Sequence, residues 1–430
     1  MSRFGPLDLV GVGFGPSNLA LAVASAEHNE QSPCAGTLGA RFVERQERFG
    51  WHRGMLIEDA TMQVSFLKDL VTLRNPTSRH GFLSYLHARG RLVDFINYGS
   101  AFPTRLEFHD YLEWVASRFA DQVEYGSTVT SIEAVPGSPD VVDVMTSRGS
   151  VLRTRNVVLA TGLVPTLPEG VVAGERIWHT RDLLTRLDQL ADGSTGTLAR
   201  PRRIIVVGAG QSAAEAVDHL HRRFPDTQVW AVFQRYGYSP ADDSSFANRV
   251  FDPSAVDDFF QAPDPVKQLI LGYHANTNYS VVDPELIDSL YRQHYHEKVA
   301  GRERLRFLNV SRVADVVETE DRVELAIESM IHGGREVLSA DLVVYATGYR
   351  SADPGDLLGD LATHCLRDEA GRLEIGRDYR VRTDGGLRAG IYVQGATEHT
   401  HGLSSTLLSN VAVRSGEIVA SIAAPAPAHV

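Results

Sequence analysis

The chain carries Gly-Val-Gly-Phe-Gly-Pro-Ser-Asn at residues 11–18, directly after a short apolar run. Gly11, Gly13 and Gly15 have the spacing of a strand-to-helix turn whose backbone N–H groups approach the pyrophosphate of a dinucleotide. An acidic residue, Glu44, ends a second apolar strand about 30 residues later, at the position that binds a ribose 2′-hydroxyl. The pattern predicts a βαβ unit that binds a dinucleotide.

A second turn of this kind consists of Gly208, Ala209, Gly210, Gln211 and Ser212. The strand that follows it ends in Gln234 and Arg235 instead of an acid. A cation at this position suits the 2′-phosphate of NADP better than the free hydroxyl of NAD. Two dinucleotide sites in one chain are typical of an enzyme that passes a hydride from a nicotinamide to a flavin, which predicts FAD at the first turn and NADPH at the second.

Two further segments, residues 156–162 and 341–349, are apolar strands that run into Ala-Thr-Gly. Small residues at a strand end allow a close approach of another backbone or a cofactor. Because these segments bracket the second glycine turn, the sequence predicts an α/β protein with two Rossmann-like domains, one inserted into the other. The predicted ranges are 1–165 with 336–430 for a discontinuous FAD domain and 166–335 for the NADPH domain, in which 236–300 contribute a small helical substrate-binding region.

Charge and cysteine content exclude several classes of protein. The 430 residues carry a formal net charge of -12, which argues against a nucleic acid or an anionic membrane as a partner. No apolar run approaches the roughly 18 residues of a membrane span. Cys34 and Cys365 form no CxxC pair, which excludes a flavin disulfide reductase and is typical of the reducing cytoplasm, where we expect the protein to act.

Four longer segments carry a family resemblance: Met-Gln-Val-Ser-Phe-Leu-Lys-Asp-Leu at 62–70, Arg-Asn-Pro-Thr-Ser at 74–78, Asn-Thr-Asn-Tyr-Ser-Val-Val-Asp at 276–283 and His-Thr-His-Gly-Leu-Ser at 399–404. They resemble the microbial N-hydroxylating monooxygenases, the L-ornithine N5- and L-lysine N6-monooxygenases of hydroxamate siderophore pathways. The resemblance runs from residue 8 to about residue 422. It implies FAD, NADPH, O2 carried as a C4a-hydroperoxide of the flavin, no metal, and a homo-oligomer (tetramer or dimer).

The same resemblance implies the residues that hold each cofactor. For FAD, besides the first glycine turn, they are Asn18, Glu44, Trp51, His52, Gln63, Val129, Thr406, Leu407 and Leu408. For NADP, besides the second turn and Arg235, they are Asn278, Tyr279 and Ser280. Ornithine enzymes commonly place an arginine where this chain has Gln234, so a weaker preference for NADPH over NADH follows unless Arg235 substitutes for it.

The substrate residues implied are Lys68, Asn248, Asn278 and Ser409. Residue type alone favours a solvated lysine and turn-forming asparagines, and the surrounding motifs reverse that preference. We expect Lys68 to bind the α-carboxylate of an amino acid and Asn248 to accept a hydrogen bond from the reacting amine. Arg105 is either an electrostatic catalytic group near the cofactors or half of a salt bridge with Glu107 or Asp110.

The sequence therefore predicts N5-hydroxylation of L-ornithine by an FAD- and NADPH-dependent monooxygenase. An L-lysine N6-monooxygenase, or a hydroxylase of another primary amine, is the main alternative, because one methylene is worth only about 1–3 kcal/mol of discrimination. An S-oxygenating or Baeyer–Villiger flavin monooxygenase and a non-catalytic NADPH-oxidising flavoprotein are further alternatives.

Overall fold

The computed structural model describes residues 5–31, 37–191, 200–274, 277 and 280–424. The strands are β1 (Leu9–Val12), β2 (Ala40–Glu44), β3 (Val123–Tyr125), β4 (Val129–Ala134), β5 (Val142–Thr146), β6 (Val151–Thr154), β7 (Asn156–Leu159), β8 (Leu163–Pro165), β9 (Ile177–His179), β10 (Arg203–Val207), β11 (Gln228–Val232), β12 (Leu305–Leu308), β13 (Ser311–Glu318), β14 (Val323–Ser329), β15 (Arg335–Ala340), β16 (Leu342–Tyr345), β17 (Tyr349–Ser351) and β18 (Gly390–Val393). The α-helices are α1 (Pro16–Gln31), α2 (Phe82–Ala88), α3 (Leu92–Tyr98), α4 (Arg105–Ala116), α5 (Leu183–Ala191), α6 (Gln211–Arg223), α7 (Pro253–Gln261), α8 (Asp264–Tyr273), α9 (Pro284–Val299), α10 (Glu398–His401) and α11 (Val411–Ala423).

The first glycine turn lies at the centre of a parallel sheet with the order β18-β7-β1-β2-β3. β1 and β7 are almost fully buried apolar strands, as expected where both faces of a parallel sheet are covered. α1 begins directly after the turn with Pro16, whose missing N–H costs nothing at the first position of a helix. α1 packs against α11, so the last helix of the chain closes over the first.

The second glycine turn has an equivalent setting in a parallel sheet with the order β12-β11-β10-β16-β9. The turn joins β10 to α6, and the apolar face of α6 packs on this sheet. The two sheets confirm the prediction of an α/β fold with two Rossmann-like units. Among the described residues, no helix is both long and apolar enough to span a membrane.

The second Ala-Thr-Gly segment lies in the second sheet, contrary to the predicted boundary at residue 336. β16 pairs in parallel with β10 and β9, because its buried apolar side chains complete the core of the nicotinamide sheet. The chain passes between the two units where β8 and β17 pair in antiparallel fashion. We therefore place the second boundary close to β17, while the first boundary at residue 165 coincides with the end of β8.

A segment of the first unit is also buried in the second. Met55, Ile57 and Ala60 follow β2 in the chain, yet they pack in the core formed by β10, β16 and α6. A Cβ on Gly54 would lie 1.8 Å from the carbonyl oxygen of Arg181, so only glycine allows the two backbones to meet there. The two units therefore share a packed core around Met55, Ile57 and Ala60.

Candidate functional site

The first glycine turn combines close packing on one side with open space on the other. Gly13 has φ +82°, and a Cβ there would lie 2.5 Å from the carbonyl oxygen of Ala160 in the first Ala-Thr-Gly segment. A Cβ on Gly15 would meet no atom within 4 Å. The backbone N–H groups at the start of α1 are therefore accessible from that side, which fits the pyrophosphate of a dinucleotide.

Asn18 has an internal role instead of the predicted direct contact with FAD. Its side chain is fully buried, and its Nδ2 donates to the carbonyl oxygens of Val12 at 3.2 Å and Gly13 at 2.7 Å. Its Oδ1 accepts a hydrogen bond from Gln394 at 3.1 Å. The amide is thus used by the protein itself to hold the turn.

Glu44 lies at the end of β2, as the βαβ pattern predicts, and its carboxylate is nearly buried. One carboxylate oxygen accepts the backbone N–H of Phe14 at 2.6 Å and the other accepts that of Gln46 at 2.9 Å. Each oxygen keeps a second lone pair for a ligand hydroxyl. The carboxylate therefore ties the glycine turn to β2 at the place where a ribose would bind.

The remaining residues implied for FAD differ in how far their side chains are exposed. Trp51 donates its backbone N–H to His109, and His52 adopts φ +50° and is exposed. Desolvation by the surrounding protein atoms and the nearby cation of Arg105 lower the pKa of His52 to about 4. Gln63 is exposed, whereas the side chain of Val129 lies in the apolar core, so that only its backbone can contact a ligand.

The segment that carries Thr406, Leu407 and Leu408 connects two short 3-10 turns, Leu403–Thr406 and Leu408–Asn410. The side chains of Thr406, Leu407 and Leu408 are half-buried, and Ser409 is buried. The fully buried Arg414 donates to the carbonyl oxygen of Ser405 at 2.7 Å.

Arg414 also links this segment to the first glycine turn. It donates to Gln394 at 3.2 Å, and Gln394 in turn bonds Asn18. The sequence motifs include neither Arg414 nor Gln394. The available signal was an arginine in the mostly apolar stretch 411–423, because a charge on the buried face of a helix needs dedicated partners.

The second glycine turn is built like the first. Gly208 has φ +144°, and a Cβ there would lie 2.5 Å from the carbonyl oxygen of Ala346, in the second Ala-Thr-Gly segment. A Cβ on Gly210 would lie 3.3 Å from the Cα of Ser280. Arg235 donates to the carbonyl oxygen of Ser280 at 2.7 Å, so these residues of the predicted nicotinamide site come together.

Other residues of the predicted NADP set have different positions. Ala209 and Ser212 are half-buried in the turn, and Gln234 is exposed. Gln211 is held by Glu215 at 2.9 Å and by the backbone N–H of Asp283 at 2.8 Å. Asn278 and Tyr279 lie outside the described residues, as does Cys34.

Arg105 is neither a free catalytic cation nor a partner of Glu107 or Asp110. Its guanidinium forms a bidentate pair with Glu215 at 2.9 and 2.7 Å and donates to the carbonyl oxygen of Met55. Glu107 and Asp110 pair instead with Arg91. From the first turn of α4, the side chain of Arg105 reaches across the domain boundary to α6. Spacing in the sequence could not reveal this contact.

Lys68, Asn248 and Ser409 lie on, or next to, elements that pack together. The Nζ of Lys68 lies 5.7 Å from the ring centre of Phe251, in the 3-10 turn Ala247–Phe251 that also carries Asn248. This turn packs against the turn Leu403–Thr406, just ahead of Ser409. Lys68 and Asn248 are therefore brought near the segment expected beside the flavin.

Lys68 is a half-buried cation without a carboxylate within ion-pair distance among the described residues. Burial lowers its pKa, and the nearby Asp252 opposes that change. The Nδ2 of Asn248 donates to the carbonyl oxygen of Asp243 at 2.6 Å. Its Oδ1 makes no hydrogen bond within the described part of the chain, so it can accept one from a bound amine.

Comparison with known proteins identifies the family. The family model described as L-lysine 6-monooxygenase/L-ornithine 5-monooxygenase matches residues 5–351. The chain is 42% identical over 412 residues to the L-ornithine N(5)-monooxygenase of Burkholderia cepacia, covering 94% of this chain and 91% of that protein.

Solved structures agree with that match. The ornithine N-hydroxylase of Kutzneria sp. 744 (KtzI-FADred-NADP+-L-orn) superposes with a TM-score of 0.92 at 50% identity, covering 97% of this chain and 99% of that one. The ornithine hydroxylase PvdA of Pseudomonas aeruginosa superposes with a TM-score of 0.89 at 38% identity, with the same coverage of 97% and 99%. The chain therefore belongs to the L-lysine 6-monooxygenase/L-ornithine 5-monooxygenase family.

Proposed function

We propose that this protein is an L-ornithine N5-monooxygenase that uses FAD, NADPH and O2. The observation that carries the proposal is the half-buried cation of Lys68, which has no carboxylate within ion-pair distance among the described residues and faces the turn that bears Asn248. A charged group kept partly desolvated without a partner indicates a ligand of opposite charge. The α-carboxylate of ornithine, the substrate named in all three of the relatives compared above, supplies that charge.

The two glycine turns fit the two dinucleotides. FAD would lie on the open side of Gly15, with Glu44 at its ribose, and NADPH would lie on Gly208 to Ser212, with Arg235 near its 2′-phosphate. When bound, the reduced flavin supplies the activation of O2 for oxygen transfer to an amine. The protein supplies orientation and the exclusion of water.

The residues around the substrate fix its two ends. Lys68 binds the carboxylate through a charge-assisted hydrogen bond. The Oδ1 of Asn248 accepts a hydrogen bond from the side-chain amine and directs the nitrogen lone pair. The amine must be neutral to act as a nucleophile, although the pKa of such an amine in water is near 10.4, so the site must favour the neutral form by partial desolvation.

The test is the ratio of hydroxylated amine formed to NADPH oxidised, measured with L-ornithine, L-lysine and butane-1,4-diamine. A ratio near one with L-ornithine alone supports the proposal. A higher ratio with lysine would assign the lysine alternative, and a higher ratio with the diamine would remove the proposed role of Lys68. Hydrogen peroxide as the sole product with every amine would indicate an NADPH oxidase.

We also propose that the hydroxylated amine is a precursor for a hydroxamate siderophore or a related natural product, since acylation of an N-hydroxy amine yields a hydroxamate. The low cysteine count supports a cytoplasmic location. A homo-oligomer, tetramer or dimer, follows from the family resemblance, and light scattering coupled to size-exclusion chromatography tests it directly.

A further inference from the structure

Lys68 is followed by a carboxylate that no part of the proposed chemistry uses. The side chain of Asp69 is buried, with 2% of its surface exposed. It accepts four hydrogen bonds: from the backbone N–H groups of Val71 at 2.9 Å, Thr72 at 2.7 Å and Phe82 at 2.7 Å, and from the Thr72 hydroxyl at 2.9 Å. Oδ1 accepts from the two backbone N–H groups of the turn. Oδ2 accepts from the Thr72 hydroxyl and from the backbone N–H of Phe82, the first residue of α2.

The turn after Lys68 is held from a second direction by α4. The backbone N–H of Leu70 donates to the hydroxyl of Tyr111 at 3.3 Å, and that hydroxyl donates to the carbonyl oxygen of His80 at 3.0 Å. Leu70, Val71 and Tyr111 have no exposed surface. The backbone directly after Lys68 is therefore fixed to two helices, while the ammonium group of Lys68 has no carboxylate within ion-pair distance in the described ranges.

The anionic form of Asp69 suits this arrangement better than any neutral side chain. Burial raises the pKa of Asp69, and the hydrogen bonds from Phe82, Thr72 and Val71 act in the opposite direction. An asparagine offers one oxygen, so its NH2 group would face either the N–H of Phe82 or the two N–H groups of the turn. A donor would then meet a donor in a dry site, which costs about 1–3 kcal/mol.

We propose that Asp69 is a positioning residue for the amino-acid substrate: it holds the backbone of Lys68 so that the ammonium group meets the substrate carboxylate. The inference rests on the proposed function of Lys68. Asp69 itself does not touch the substrate. Displacement of a binding group by about 1 Å is enough to lower turnover by up to about 100-fold, so a fixed backbone matters for a side chain as long as lysine.

The experiment is a double-mutant cycle with Asp69→Asn and Lys68→Ala, using purified holoenzyme that retains FAD. Asp69→Asn should raise the KM for L-ornithine by about tenfold, while the KM for NADPH stays within about twofold. The double variant should have nearly the same kcat/KM for ornithine as Lys68→Ala alone, because the two residues act on one contact. Effects that multiply in the double variant, or equal changes in both KM values, would overturn the proposal.

Asp341→Asn is the matched control. Asp341 is a half-buried carboxylate that accepts the backbone N–H groups of Arg202 at 2.7 Å and Arg203 at 2.8 Å, and it lies in the nicotinamide unit outside the predicted substrate-binding region. It should lower thermal stability without changing the KM for ornithine. If Asp69→Asn does not retain FAD, Thr72→Val removes one of the four hydrogen bonds; a raised KM for ornithine in that variant supports the proposal, and an unchanged KM contradicts it.

Failure of the proposed function can be told apart from failure of the proposed role of Asp69. Wild-type protein that forms no hydroxylated ornithine would contradict the assignment of the substrate. By contrast, wild-type protein that hydroxylates ornithine, with multiplicative effects in the cycle, would contradict only the role of Asp69.

Discussion

The guanidinium of Arg105 and the carboxylate of Glu215 join the two dinucleotide-binding units by a bidentate ion pair. Nη1 lies 2.9 Å from Oε2, and Nη2 lies 2.7 Å from Oε1. The two side chains are 12% and 5% exposed, which makes this a largely buried pair between the first turn of α4 and the middle of α6. Its position indicates that Arg105 sets the orientation of one unit against the other.

Arg105→Ala should lower the free energy of unfolding by about 3–5 kcal/mol, because it leaves the Glu215 carboxylate buried without its cation. Urea unfolding followed by fluorescence measures the change. Arg388→Ala is the control, since Arg388 pairs with Asp140 on the exposed surface and should leave the midpoint unchanged. Equal effects of the two substitutions would show that the Arg105 pair contributes nothing through its burial.

Lys68→Ala should raise the KM for L-ornithine by about 10- to 100-fold. The reason is the loss of a charge-assisted hydrogen bond, which contributes about 1.5–3 kcal/mol to binding. The rate of flavin reduction by NADPH should stay close to that of the wild type, which stopped-flow absorbance measures. Arg388→Ala, which removes a surface cation outside the predicted substrate-binding region, is the control and should change neither value. Equal losses in both half-reactions would make Lys68 a structural residue.

Arg235→Ala should raise the KM for NADPH by up to about tenfold and leave the KM for NADH nearly unchanged, because only NADPH carries the 2′-phosphate. Gln234→Ala, one residue earlier and also exposed, is the matched control and should alter neither value. A parallel rise for both nucleotides after Arg235→Ala would mean that the hydrogen bond to the Ser280 carbonyl is its main contribution.

Gly15→Ala should weaken FAD binding without destabilising the apoprotein, because the added methyl group meets no protein atom within 4 Å. Gly13→Ala should instead destabilise the apoprotein, since φ is +82° and the Ala160 oxygen would lie 2.5 Å from the new Cβ. Thermal unfolding of the apoproteins and FAD titration separate the two effects. A destabilised Gly15→Ala apoprotein would contradict an open cofactor side.

Acid should destabilise the protein through His401, whose ring stacks on Tyr379 at 4.1 Å and has 1% of its surface exposed. Burial lowers the pKa of His401 from 6.5 to about 4. Between these two values the unfolded chain binds the proton and the folded chain does not, so stability falls as the pH drops through that window. The expected loss for this group is about 3 kcal/mol, and His401→Gln should reduce the pH dependence of the urea midpoint between pH 7 and pH 4.

The glycine turns, Glu44 and the strands that flank the turns could be predicted from local pattern, because a dinucleotide turn needs glycine at set positions and an acid after the next strand. The second boundary of the inserted unit could not be predicted in this way. Both Ala-Thr-Gly segments have the same local sequence, and only strand pairing shows that each one lies against its own glycine turn, Ala160 against Gly13 and Ala346 against Gly208.

In the candidate site, too, short motifs indicated some residues, whereas contacts between distant parts of the chain could not be predicted. Lys68 and Asn248 were found from motifs, and the structure brings the turn that carries Asn248 next to Lys68. The partner of Arg105 was missed, because Glu215 lies 110 residues away and no helical spacing connects them. The internal use of Asn18 was also missed, because its Gln394 partner is 376 residues distant in the chain.

By itself, the sequence determined the class of fold, the two dinucleotide turns and the residues that define the family, since each depends on backbone conformation or chemistry within a short stretch. The tertiary structure decided which polar groups remain available to ligands. The side chains of Asn18 and Arg105 already bond to buried groups of the protein. Among the described residues, Lys68 forms no ion pair and the Oδ1 of Asn248 accepts no hydrogen bond. Hydrogen-bonding capacity is finite, and only the folded arrangement shows where the protein itself has used it.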